Sequence, residues 1–262
     1  MKKRYIPDYG ILRQYGDNAY KLVGLNCYCI GGLEKEERKF TAKGEAGNEQ
    51  KLDNNLSRSK NRILELALCN PWEWYVTLTL DPSKYDRTDL GKFIKDLSQL
   101  VRDYRKKTGH QVKYMLIPER HEDGCWHMHG FLMGLPVGEL HAFTLEEHLP
   151  YKILNRIKKG VPVYTWEAYA NRFGHACIEA IQNQQAASRY ITKYITKETM
   201  RTITGLNAHT FYASKGLQSS VVLMQDLLCK EINEPDYTND YVAVKWYDNP
   251  QAALAYFDGG AQ

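Results

Sequence analysis

The chain has 262 residues, enough to bury a sizeable core as one large domain or as a domain with appendages, and 43% of them are hydrophobic, an ordinary share for a globular protein. Its net charge of +4 hides an asymmetry: residues 226–262 carry seven acids against two bases, which makes that segment −5 and leaves +9 on residues 1–225, a balance suited to a polyanionic partner. Six cysteines with no C-x-x-C pair, no secretory apolar start after MKKRY, no apolar run near the roughly 18 residues of a membrane helix and no G-x-x-x-x-G-K-[ST] loop point to a reducing cytoplasm, with no membrane partner and no nucleotide-driven motor.

Along the chain, residues 1–52 read as an N-terminal arm, partly strand ("YKLVGLNCYCIGGL") and partly mobile ("EKEERKFTAKGEAGNEQK"). From Asp53, apolar residues at Leu56, Ile63, Leu64, Ala67 and Leu68 predict a helix that ends before Pro71, and "EWYVTLTLD" predicts a strand stopped by Pro82. Helical spacing of Leu90, Phe93, Ile94, Leu97, Leu100, Val101 and Tyr104 predicts a second helix with Gly109 at its C-cap and a basic outer face. "VKYMLIPE" and "CWHMHGFLMG" flank "RHEDG" as a hairpin. A helical stretch over Ala142–Lys159 interrupted by Pro150, a strand at "HACIEAI" and a helix after Asn183 complete a main domain over residues 53–225, followed by an acidic tail over 226–262.

Two patterns carry chemistry. In "HMH", residues 127–129, the period of a strand sends both imidazoles to one side, where they can chelate one ion. Glu119 on the partner strand joins them only in one register. A two-residue Asp123-Gly124 turn would pair residue 119 with Met128 and point Glu119 away, whereas a three-residue loop over Glu122–Gly124 pairs Glu119 with His127. Two imidazoles and a carboxylate suit Mn²⁺ or Mg²⁺ acting as a Lewis acid on a phosphodiester. A structural zinc site drawing on Cys125 or Cys177 has no paired-cysteine spacing behind it, and His121, a further candidate ligand, lies in the turn.

The second pattern is "SRYITKYITKE", residues 188–198, which repeats Tyr-Ile-Thr-Lys. On a continuous helix Tyr190, Lys193, Tyr194 and Lys197 fall on one face within an arc of roughly 100°, giving two phenol-and-cation pairs side by side. The competing reading is an amphipathic helix that buries Ile191 and Ile195 and leaves tyrosine and lysine on its solvated side.

Taken in order, "YVTLTLDP", "ExxxxxxxHMHG" and "YxxKYxxK" resemble the three motifs of the HUH endonucleases, and specifically the two-tyrosine rolling-circle replication initiators of single-stranded DNA phages and plasmids; "FYASKGL", residues 211–217, is similar to a segment that follows the tyrosine helix in such proteins. The resemblance covers residues 60–220. It implies an α+β fold, a central antiparallel sheet with flanking helices in the ferredoxin-like style of RNA-recognition domains. It also implies His127, His129 and Glu119 as ligands of Mn²⁺ or Mg²⁺, Tyr190 and Tyr194 as nucleophiles, and Lys193 and Lys197 as cations beside the phosphate. The partners it implies are single-stranded or cruciform origin DNA together with a host helicase and DNA polymerase, in the cytoplasm of a bacterial host. A phenol, with a pKa near 10, needs a polarised phosphate and nearby cations to attack, and two phenols four residues apart allow one to hold a 5′ end while the other cuts again. A two-tyrosine transposase shares this chemistry, and a non-catalytic single-stranded nucleic-acid binder would keep the scaffold without it.

Overall fold

In the computed structural model, residues 4–30, 49–196 and 209–257 are described. They form an α+β fold in two units, one drawn from Met1–Phe40, Leu68–Asn70 and Gln218–Gln262, the other from Thr41–Ala67 and Pro71–Leu217.

The larger unit is built on a seven-stranded sheet in the order β11-β6-β7-β5-β10-β9-β8. Its centre follows from period-2 sequence: in β5 (Trp74–Leu80), Val76, Leu78 and Leu80 point to one face and are buried, while Tyr75, Thr77 and Thr79 point to the other. Helix α2 (Leu90–Thr108) crosses over from β5 to β6 (Lys113–Arg120). The Asp89 carboxylate accepts the Lys92 N–H at 2.8 Å to cap the helix, and Gly109 closes it. Its stripe of Leu90, Phe93, Leu97, Val101 and Tyr104 packs on the first face of the sheet together with Tyr169 and Phe173 from α4 (Glu167–Arg172) and its C-cap. Each such fully buried side chain contributes about 1.5–3 kcal/mol.

Strand β7 (Trp126–Met133) then returns between β6 and β5 and is antiparallel to both, so the histidine strand lies in the interior of the sheet. Gly130 permits this insertion, because a Cβ there would come within 2.0 Å of the Met115 carbonyl oxygen on β6. On the second face, Ile63, Leu66 and Ala67 of α1 (Glu49–Cys69) pack with Trp72, Met115, Ile117 and Phe131, and with Ile191 and Ile195.

Residues 142–159 differ from a single interrupted helix. A short strand β8 (Leu140–Ala142) pairs with β9 (Tyr164–Trp166), and α3 (Tyr151–Lys158) starts only after Pro150, whose fixed φ and missing N–H suit a helix entry. β10 (Gly174–Ala180) pairs along its whole length with β5, and β11 (Tyr212–Ala213) edges the sheet beside β6.

The smaller unit joins the two chain ends. Its five-stranded sheet has the order β12-β2-β3-β14-β13, with β2 (Tyr9–Tyr15) and β3 (Ala19–Leu25) from the N-terminal segment and β12 (Val221–Leu227), β13 (Tyr237–Thr238) and β14 (Val242–Tyr247) from the C-terminal one. Leu12 and Leu22 meet Ala253 of α6 (Pro250–Leu254), Tyr256 and Phe257 in a separate core, and β1 (Arg4–Ile6) pairs with β4 (Tyr28–Ile30). The segments read as an arm and an acidic tail thus pair with each other in one sheet. Apart from Leu12 and Leu22, the side chains of β2, β3 and β12 are half-buried or exposed, which is why the alternation is faint in the sequence.

Candidate active site on the seven-stranded sheet

The hairpin between β6 and β7 decides the register on which the metal reading depends. His121 N–H donates to the Cys125 carbonyl at 2.9 Å, leaving Glu122–Gly124 as a three-residue loop closed by Gly124 N–H to His121 O at 2.9 Å, and Gly124 takes the left-handed conformation with φ 81°. Of the two registers the sequence allows, this one pairs Glu119 with His127, and it sets Glu119, His127 and His129 on the same face.

Strand β5 orients the imidazoles from the other side. Thr77 pairs with His129 and Thr79 with His127, and each threonine Oγ1 lies within hydrogen-bond reach of the Nδ1 of its histidine, at 3.2 and 3.1 Å. With Nδ1 engaged, each Nε2 is left as the second nitrogen. That is the arrangement by which a neighbouring polar group fixes the ring of a metal-binding histidine. Burial, together with His121 and His129 nearby, pushes the His127 imidazole down to about 4, and burial also lowers His129 against the opposing pull of Glu119. Both rings are therefore neutral near pH 7, the form a metal requires of an imidazole.

Glu119 Oε2 sits 2.7 Å from His129 Nε2 and 3.7 Å from His121 Nε2, and the His121 ring stacks on His127 at 3.9 Å between centroids. Among the described residues, no three His, Cys, Asp or Glu side chains converge at a spacing that would hold a metal ion, because the Glu119 carboxylate is turned onto the His129 nitrogen. In chemistry, side of the sheet and threonine support, the donor set fits a divalent cation.

The tyrosine segment departs from one continuous helix. Helix α5 (Gln184–Ile191), capped by Asn183, tightens into a 3-10 turn over Thr192–Tyr194, and Ile195 is already extended. Two hydroxyls take part: Ser188 Oγ donates to Gln184 O and Thr192 Oγ1 to Arg189 O, both at 2.7 Å, competing with the helical ladder in the last turn. Ile191 and Ile195 are fully buried, so the amphipathic reading and the exposed-phenol reading both hold for this segment. Lys197 lies outside the described residues.

The two phenols are brought together in spite of the broken helix, with ring centroids 6.0 Å apart, edge to face. The Tyr194 ring lies flat on His129, 4.0 Å between centroids and 8° between planes, whereas Tyr190 is 49% exposed. The Lys193 ammonium sits 3.5 Å from the Tyr190 ring centre and 4.8 Å from that of Tyr194. Hydrogen bonds from Lys193 and Tyr194 hold the Tyr190 phenol below its ordinary range, while burial pushes Tyr194 above it. Glu119, His121, Lys193, Tyr194 and Thr196 line one cleft of about 1110 Å³.

Three further groups on this face come from pairings that are distant in sequence. Tyr75 donates its hydroxyl to the Tyr194 oxygen at 3.1 Å, and Thr77 and Thr79 follow it at period 2 on β5. On β10, Glu179 stands opposite Tyr75 and forms an ion pair with Arg156 of α3; burial raises the carboxyl and the guanidinium offsets it. The alternation in "YVTLTL" marks Tyr75, Thr77 and Thr79 as one row, but the sequence does not say what they face.

Residues 73–199 match the family model for replication-associated proteins of the ORF2 type, a span that contains β5, the hairpin and the tyrosine segment. Comparison with curated proteins and with solved structures finds no match. The family match supports a replication initiator protein. Among the described residues no helix is long and apolar enough to cross a membrane.

Proposed function

We propose that the protein initiates rolling-circle replication by nicking and rejoining single-stranded origin DNA through a 5′-phosphotyrosine. The observation that carries this reading is the Tyr194 ring stacked at 4.0 Å on His129, beside Glu119 and Lys193 in one cleft. A phenol oxygen of Tyr190 or Tyr194 attacks the scissile phosphorus, the O–P bond to tyrosine forms as the P–O3′ bond breaks, and the proton of the phenol ends on the leaving 3′ oxygen. The step conserves the energy of the phosphodiester in the ester, so the strand can be rejoined, and the freed 3′-hydroxyl primes a host polymerase behind a host helicase. A divalent cation, Mn²⁺ or Mg²⁺, held by His127, His129 and Glu119 would supply Lewis-acid polarisation of the phosphodiester. Lys193, between the two rings, balances the charge on a phosphate or phenolate, and Lys197 is proposed in the same role for the second phenol.

The test is incubation with an origin-library single-stranded oligonucleotide in Mn²⁺ or in chelator, followed by denaturing detection of protein-DNA adducts. Adduct in Mn²⁺ that disappears with chelator and in the Tyr190→Phe/Tyr194→Phe double variant is expected. An adduct that survives in the double variant would move the chemistry to another of the 19 tyrosines, and binding without any adduct would leave a non-catalytic single-strand binder.

A further inference from the structure

The two tyrosines of the repeat are inequivalent, and the asymmetry has a source outside the repeat. We propose that Tyr75 is a positioning residue that fixes the Tyr194 hydroxyl, and so divides the covalent work unequally between the two tyrosines. This rests on the nicking function proposed above.

Four observations meet at this point. Tyr75 belongs to the interior strand β5 and is paired within the sheet on both sides, with Phe131 of β7 and Glu179 of β10, so its backbone has little freedom. Its ring packs edge to face on Phe131 and on Tyr190, each at 6.0 Å between centroids, which fixes the ring plane from two directions. Its hydroxyl donates to the Tyr194 oxygen at 3.1 Å. Tyr194 is in turn clamped flat on His129. The Tyr194 oxygen is thereby tied to the sheet that carries the histidines, although the segment bearing it is a 3-10 turn that ends in extended chain. Tyr190 is held differently: its hydroxyl bonds within its own segment, to Lys193 and Tyr194, its ring meets Tyr75 through an edge contact, and it is 49% exposed.

A nucleophile must approach phosphorus in line, and small misplacements of the attacking atom cost large factors in rate. The hydroxyl of Tyr75 therefore matters for attack by Tyr194 and is dispensable for attack by Tyr190. Tyr75 itself takes no part in bond making: its proton is shared with Tyr194, and its oxygen is drawn toward the protein rather than toward the lining of the cleft.

The experiment compares Tyr75→Phe in two backgrounds, Tyr190→Phe, where only Tyr194 can react, and Tyr194→Phe, where only Tyr190 can. Single-turnover adduct formation is followed in Mn²⁺ on the same oligonucleotide. Phenylalanine keeps the ring contacts and removes the donated proton. Loss of one hydrogen bond to the reacting atom, about 1.4 kcal/mol, corresponds to roughly tenfold. The expected result is a tenfold slower adduct through Tyr194 and less than a twofold change through Tyr190. Placing 4-aminophenylalanine at position 75, which restores an N–H donor on the same ring, should recover most of the Tyr194 rate. Peptide mapping of adduct from a protein with both tyrosines intact should show Tyr75→Phe shifting the label toward Tyr190. Equal losses in both backgrounds, including losses through failure to fold, would make Tyr75 a packing residue and overturn the inference. So would unchanged rates in both. A protein with Tyr75, Tyr190 and Tyr194 all intact that forms no adduct would instead overturn the proposed nicking function.

Discussion

The two faces of the seven-stranded sheet are made from the same strands and do different work. One face sends Val76, Leu78, Leu80, Trp126, Met128 and Leu132 into a continuous core under α2 and α4. The other is apolar where α1 and the end of α5 cover it, at Met115, Ile117 and Phe131, and polar where it lies open, at Thr77, Thr79, His127, His129 and Glu119. Strand period keeps the two sets apart: a single step along β5 or β7 moves from packing to polar chemistry. Substitutions at neighbouring positions should therefore fail in different ways, and this is how the division can be broken or sharpened.

The largest effect is expected at the histidines. His127→Ala with His129→Ala should reduce adduct formation by at least about 10³-fold, since Lewis-acid stabilisation is worth several kcal/mol. The melting temperature should move by no more than about 4 °C, because neither ring belongs to a hydrophobic core. Calorimetric titration with Mn²⁺ should show binding to the intact protein and none to the variant. Undiminished nicking by the variant would remove these residues from the site.

Leu78→Ala probes the opposite face one residue from Thr77. Leu78 is buried under α2, and its truncation should cost about 2–5 kcal/mol of unfolding free energy, read by denaturant titration. Adduct formed per folded molecule should stay within a few-fold. A loss of activity without a loss of stability would mean that the two faces are coupled.

A smaller effect on the polar face tests the support of the rings. Thr77→Val keeps the shape of the side chain while removing the oxygen 3.2 Å from His129 Nδ1, and should weaken Mn²⁺ binding by about 10–100-fold. Unchanged affinity would make that contact incidental.

How much of this was legible in sequence follows the same division. The strands "EWYVTLTLD" and "CWHMHGFLMG" and the helix over Leu90–Thr108 are strongly periodic because each has one fully buried face. The register of Glu119 was legible as a choice between two turns, and Gly124 with its positive φ suited the one observed. Tyr75, Thr77 and Thr79 could not be assigned to the site, since their partners lie 48–119 residues away and only the order of the strands brings them together. The break after Ile191 was hidden because Ser188 and Thr192 act through local hydroxyl bonds that a face-counting argument ignores. The five-stranded sheet was missed for the opposite reason: β12 is exposed along nearly all its length and β14 is half-buried throughout, so neither shows an alternation to read.

The smallest effect is expected from the basic helix face, where a count of charges alone would place the DNA. Lys95, Arg102 and Lys106 are exposed on α2, and α2 packs on the sheet face that carries Leu78 and Met128, the reverse of the one that carries the histidines. A strand bound at His129 and Tyr194 is separated from these cations by the thickness of the sheet. Replacing all three by alanine should therefore leave adduct formation within about twofold, and exposed charges contribute little to folding. If instead they contacted phosphates of a bound single strand, three lost contacts would lower the slope of log affinity against log salt by about 2. Measuring oligonucleotide affinity between low and moderate salt separates the two cases. An unchanged slope assigns DNA to the histidine face alone, and a reduced one would show that the strand reaches around to the helix, so that both faces of the sheet serve binding even though only one performs the chemistry.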